Sequence, residues 1–183
     1  TMKKFFTPVI IVLVATLYFG CAKKKTNVEF DVNYSTDVVV PTFTAAGQTY
    51  TIITGDALTD ISSHLSKNNT TADLVGEVKY TGFSLSVKSP STSTLGFIKW
   101  MKFYINAQDL PEQQVAFKYN QKSSNDTILL TDKTTALHIN DVNIKGRFMK
   151  NSIFFKWKIE PLFASSQVTI TVNHNIHVKA ITQ

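Results

Sequence analysis

From Asn27 onward the chain places apolar residues at every second position, as strands with one buried face do. Val28, Phe30, Val32 and Tyr34 alternate with Glu29, Asp31 and Asn33 and predict a first strand, and Asp37–Val40 predicts a short one that stops at Pro41. Tyr50 and Ile52, after Gly47, mark another strand. The period then changes: Asp56 is an N-cap for a short helix in which Leu58, Ile61 and Leu65 share a face, and Asn68-Asn69 closes it.

The best-patterned stretch follows. Leu74, Val78 and Tyr80 fall on even positions, then Phe83, Leu85 and Val87 on odd ones; one extra residue at Thr81-Gly82, a β-bulge, produces that flip. Ser89–Thr94 reads as a loop. Phe97, Met101, Phe103 and Ile105 line one face of the next strand, while Ile98, Trp100, Lys102 and Tyr104 give it an amphipathic second face. Either a neighbouring element covers that second face, which is the expectation, or it is an exposed aromatic surface. Val115, Phe117 and Tyr119 follow Pro111, and Ile128 and Leu130 follow a polar turn. Residues 134–141 fit a helical turn or a short strand equally, 144–149 read as a strand, and 150–152 as a hairpin turn. Ile153, Phe155, Trp157 and Ile159 alternate with Phe154, Lys156, Lys158 and Glu160; Val168, Ile170, Val172, Ile176 and Val178 alternate with polar partners.

Eight to ten such strands with almost no helix predict an all-β fold, a two-sheet antiparallel β-sandwich with one short helix plugging an end. Residues 27–183 suit one domain, long enough to bury a core without staples. With Cys21 the sole cysteine, no disulfide can form within the chain.

The amino-terminal stretch obeys a different rule. Lys3 and Lys4 precede the apolar run Phe5–Gly20, shorter than the ~20 residues a spanning helix needs. Small Gly20 then precedes Cys21, and Lys23, Lys24 and Lys25 follow. This run resembles the signal peptide of a bacterial lipoprotein. The resemblance implies a helical signal peptide over 1–20, cleavage between Gly20 and Cys21, and acylation of Cys21, with 21–26 as a basic tether. The alternatives are an uncleaved signal-anchor helix and a simple secreted form. Several acyl chains, at ~0.8 kcal/mol per buried CH₂, hold a protein on a membrane without help from its domain.

Charge changes the picture less than it first suggests. The formal net charge is +6, but five of the 19 Lys and Arg lie in the leader and tether, which leaves 14 against 13 Asp and Glu. The domain is near neutral and carries no basic stripe in its sequence, so nucleic acid is not an expected partner.

Leu85–Ala116, with its Ser-Pro turn and Asp-Leu-Pro-Glu step, is similar to small uncharacterised envelope lipoproteins carrying one immunoglobulin-like sandwich. That likeness implies a fold and an outer-membrane lipid anchor, and brings no catalytic residue. The basic tether favours the periplasm-facing leaflet over the cell surface.

Candidate chemistry is sparse. His174 and His177, three apart on a strand, point to opposite faces and cannot share a metal without a bulge, and His174 falls in the inward phase as a hydrogen-bonded core or rim residue. His64 sits four residues after Asp60, and His138 has no visible partner. Glu29 and Asp31 share a face, a pair usually just solvated. Asp126-Thr127-Ile128 looks like a short O-glycan acceptor. Nucleophile-elbow, phosphate-loop, dinucleotide, zincin and calcium-loop patterns do not occur, so neither enzyme nor cofactor is expected. Trp100, Tyr104 and Phe154 are the aromatics expected to face a ligand, since aromatic faces stack on sugars; the plain alternative is packing. The sequence thus predicts a lipid-anchored envelope lipoprotein with a binding or structural sandwich. The alternative is a carbohydrate-binding or adhesin-type accessory protein.

Overall fold

The computed structural model describes residues 25–54, 61–120, 128–150 and 153–182. Gly20, Cys21, Asp56, Leu58, Asp60, the 150–152 turn beyond Lys150, and Asp126-Thr127 lie outside them. The described residues form an all-β, two-sheet antiparallel sandwich. Its strands are β1 (Asn27–Val40), β2 (Tyr50–Thr54), β3 (Val75–Ser89), β4 (Ile98–Ala107), β5 (Leu110–Tyr119), β6 (Thr134–Ala136), β7 (His138–Ile139), β8 (Ile153–Pro161) and β9 (Val168–Ile181). Two short helices, α1 (Ile61–Lys67) and α2 (Lys145–Phe148), and a 3₁₀ turn at Ala72–Leu74 complete it, one helix more than the pattern predicted. One sheet runs β1-β9-β3-β6 and the other β2-β8-β4-β5-β7.

The last strand organises the first sheet. β9 buries every second side chain from Val168 to Ala180, and it pairs with β1 along its whole length, from Asn27 opposite Ile181 to Val40 opposite Val168. The Asp37–Val40 segment is therefore the end of β1, not a separate strand. Proline at 41 stops it because it cannot donate to the ladder. On the other side of β9 lies β3, whose register shifts between Tyr80 and Gly82, where the flip in hydrophobic phase places the bulge. Leu74 belongs to the 3₁₀ turn and Val75 starts the strand's buried row.

Aromatic rings fasten the two layers together. Phe103 of β4 lies 4.5 Å from Phe83 of β3, 4.9 Å from Phe155 and 4.9 Å from Trp157 of β8, centroid to centroid. Edge and tilted contacts of this kind add ~0.5–1.5 kcal/mol beyond the area they bury. Helix α1 sends Leu65 into the same core, and Asn69 closes it in the left-handed region at φ 51°.

Several expectations are corrected. Residues 144–149 hold helix α2 and its two caps rather than a strand, because Ile144 and Phe148, four apart, both enter the core and a single turn satisfies that spacing as well as a strand does. Asn143 decides between them: its Oδ1 accepts from the Lys145 N–H at 3.0 Å, starting the turn, and from the Val78 N–H at 3.1 Å. The 134–141 stretch supplies the short strands β6 and β7. Leu129 and Leu130 are exposed in a turn, with only Ile128 of that group buried.

The sandwich end holding these leucines lies opposite the end where β1 begins. There buried Gly96 packs against the Leu130 backbone, and the Leu162 N–H donates to the Phe97 carbonyl. A methyl on Gly96 would meet the Leu130 Cα and the Leu129 carbonyl oxygen, neither of which can swing aside. Gly96→Ala is expected to cost ~1–3 kcal/mol, the usual range for overpacking, visible as a lower thermal midpoint. Gly47→Ala, where nothing lies near the added carbon but φ is 76°, serves as the comparison for strain without a clash.

Candidate binding face

Antiparallel register puts cross-strand partners on one face. In the five-stranded sheet, Trp100 stands opposite Glu160, Lys102 opposite Lys158, Tyr104 opposite Lys156 and Asn106 opposite Phe154. On the other side of β4, Trp100 faces Tyr119, Lys102 faces Phe117 and Tyr104 faces Gln114. Trp100, Tyr104 and Phe154, the aromatics singled out in the sequence, thus share the outer face of this sheet, and all three are half-buried.

Among the described residues, the polar and cation–π contacts of Trp100 and Tyr104 come from the face itself. Lys102 Nζ lies 5.3 Å from the Trp100 ring centre and 5.9 Å from that of Tyr119, and Lys158 Nζ lies 4.5 Å from Tyr104. The Trp100 indole donates to Glu160 Oε2 at 2.7 Å, and Lys99 pairs with the same carboxylate. Glu112 accepts from Lys156 at 2.6 Å and Lys158 at 2.9 Å. Those lysines hold the Glu112 carboxyl below its ordinary range, Lys156 first and Lys158 second. Lys99 and then Trp100 do the same for Glu160. The Lys158 ammonium is raised, chiefly by its bond to Glu112. Phe117 stacks on exposed His138 at 5.3 Å, extending the aromatic surface to β7.

Phe117 and Tyr119 alternate with Val115 along β5 but do not line the core with it. β5 shifts register between the partners of Phe103 and Tyr104. Val115 and Ala116 are therefore both buried, Phe117 and Tyr119 are turned outward, and Lys118 is turned to the buried side opposite Met101. A bulge unmarked by glycine leaves only a faint sign in the sequence. The aliphatic run broken by Ala116 and Lys118 was the available signal. Ile98 is fully buried, because β4 has an irregularity of its own between Ile98 and Trp100.

The opposite face, on the four-stranded sheet, is polar and internally paired. Lys88 bonds Asp37, holding its carboxyl low together with Thr171, and Lys79 and Lys179 share Glu77. His177 Nδ1 lies 2.8 Å from Asp31 and its Nε2 3.4 Å from Glu29, so the two carboxylates of β1 flank an imidazole on the solvated surface. His174 does enter the core, where its Nδ1 has no hydrogen-bond partner among the described residues. Burial alone pushes its pKa down to about 4. His64 touches Tyr34 edge-on at 6.3 Å. Among the described residues no three His, Cys, Asp or Glu side chains are gathered to hold a metal ion, and no helix is long and apolar enough to cross a membrane.

No family model matches the chain, and no curated protein matches it. Among solved structures it is similar to the infectious bursal disease virus VP2 subviral particle. The identity is 14% and the TM-score 0.33, over 86% of this chain and 33% of that one. The chain therefore spans about a third of the VP2 chain it matches.

Proposed function

We propose that this chain is a non-enzymatic envelope lipoprotein, tethered by acylated Cys21, whose sandwich binds a partner across the outer face of the five-stranded sheet. The observation that carries the binding role is a row of rings and ammonium groups on one face, in which Glu112 and Glu160 hold some of the cations but not Lys102. Trp100, Tyr104 and Tyr119 stand among Lys102, Lys156 and Lys158 in the middle of a sheet whose inner strands already use their backbone groups. Only side chains can speak for such a face. Aromatic rings with cations and amides among them suit ligands that offer C–H faces and oxygen acceptors. The second reading, a carbohydrate-binding accessory protein, draws on the same rings and differs in its partner.

The proposed anchor rests on Lys3–Lys25, and its basic tether favours the periplasm-facing leaflet of the outer membrane over the cell surface. Mass spectrometry of the protein taken from membranes tests it. The expected mature chain begins at Cys21 and carries acyl chains, and Cys21→Ser moves the protein to the soluble fraction. A chain that keeps its leader and an unmodified thiol contradicts the anchor.

A further inference from the structure

The lysines of the binding face are not equally satisfied. Lys156 and Lys158 are held by Glu112, and Lys99 by Glu160. Lys102 sits directly opposite Lys158, an arrangement in which like charges repel. Its contacts on the face are the rings of Trp100 and Tyr119, at distances where a partly exposed cation–π contact is worth only ~0.5–1 kcal/mol. An ammonium has three donors, and rings take none of them as a carboxylate would. An anion placed between Lys102 and Lys158 would relieve the repulsion and fill those donors.

From this juxtaposition we infer that the face takes an acidic glycan, with the ring-borne carboxylate or sulfate of one sugar on Lys102 and sugar C–H faces against Trp100 and Tyr119. The inference rests on the binding role proposed for this face. Three features favour a glycan over other polyanions. Glu112 and Glu160 lie on the same face and would repel a backbone with a charge at every unit, as in nucleic acid, but not a chain with one acid per repeat. The backbone groups of β4 are taken up by β8 and β5, so an extended peptide has no free edge to add to there. Two concavities lie away from this face, one at Asn27, Leu74 and Ile181 and the other at Thr92, Phe97 and Phe163. A sheet face built of neighbouring strands offers a chain several contact points along its length.

The test is titration of the full chain in detergent with a panel of uronate-, sialate- and sulfate-bearing oligosaccharides. Carboxyl-reduced or desulfated counterparts and hexaglutamate serve as controls. The expected result is at least one acidic glycan bound about tenfold tighter than its neutral counterpart, equal to ~1.4 kcal/mol. That margin should disappear in Lys102→Met, return in Lys102→Arg, and shrink as salt is raised. Equal binding of acidic and neutral forms overturns the inference, as does acid-dependent binding that survives in Lys102→Met. Hexaglutamate binding as tightly as the glycans also overturns it, as does a panel with no acidic member bound below ~1 mM. Neutral glycans bound equally well and lost in Trp100→Ala would remove the acidic specificity and leave the binding face. Adducts to a protein partner from this face, with no glycan bound, would remove the glycan alone.

Discussion

Phe103→Ala is expected to lower unfolding free energy by ~3–5 kcal/mol, the range seen when a buried aromatic is cut to a methyl. Phe103 is 1% exposed and is the ring through which the two layers meet, in contact with Tyr80, Phe83, Phe155, Trp157 and His174. Its removal leaves a hole bounded on every side by strands that are fixed by their own ladders, so the walls cannot collapse to fill it. Phe103→Leu keeps most of the volume and is expected to cost under ~1.5 kcal/mol. Denaturant unfolding with an unchanged slope checks both values. A loss below ~1 kcal/mol for the alanine variant would mean that the sheets do not depend on this contact.

The second large effect is on acid stability. His174 sits among Tyr34, Tyr80, Phe83, Phe103 and Phe155, with no carboxylate among these neighbours, and burial lowers its pKa from 6.5 to about 4. The unfolded chain takes up the proton near pH 6.5, whereas the folded chain refuses it until about pH 4. Stability is therefore full above pH 6.5 and is lost as the pH falls toward 4, by roughly 3 kcal/mol in total. The lowered carboxyls of Asp37, Glu77, Glu112 and Glu160 act in the same direction at lower pH. A variant is needed to separate them. His174→Leu should flatten most of the dependence between pH 7 and pH 4.5, and an unchanged slope would assign the acid loss to those carboxyls. The phenol of neighbouring Tyr80 is raised by the same burial and stays neutral throughout this range.

Much of this fold can be read directly from the amino-acid order. The alternation in β8 and β9 predicts their buried rows residue for residue, and the flip at Thr81-Gly82 places the β3 bulge, because glycine marks the spot and the apolar residues on either side are large. Elsewhere the pattern is ambiguous for physical reasons. Ile144 and Phe148 are four apart, a spacing shared by strand and helix, and only the tertiary bonds of Asn143 to Lys145 and Val78 choose between them.

The face itself was half legible. Trp100 and Tyr104 stand out because a strand that alternates core residues with aromatics has two apolar faces. Phe154 stands out from the alternation of β8 in the same way, and register brings it to the same side. Phe117 and Tyr119 were hidden by a bulge with no glycine, which turned them outward and sent Lys118 in. The inequality among the lysines could not be read at all, since it depends on which side chains Glu112 and Glu160 reach across the sheet.

The central claim is that the outer face of the five-stranded sheet is the surface that binds. Photo-crosslinking in intact cells tests it most directly, with a photoreactive residue at Tyr104 or Tyr119 in one set of strains and at Asn173 or Thr171, on the outer face of the other sheet, in a second. The account predicts adducts from Tyr104 and Tyr119 that are lost when Trp100→Ala is added, and none from Asn173 or Thr171. Adducts confined to Asn173 and Thr171, or equal from both sheets, would contradict it.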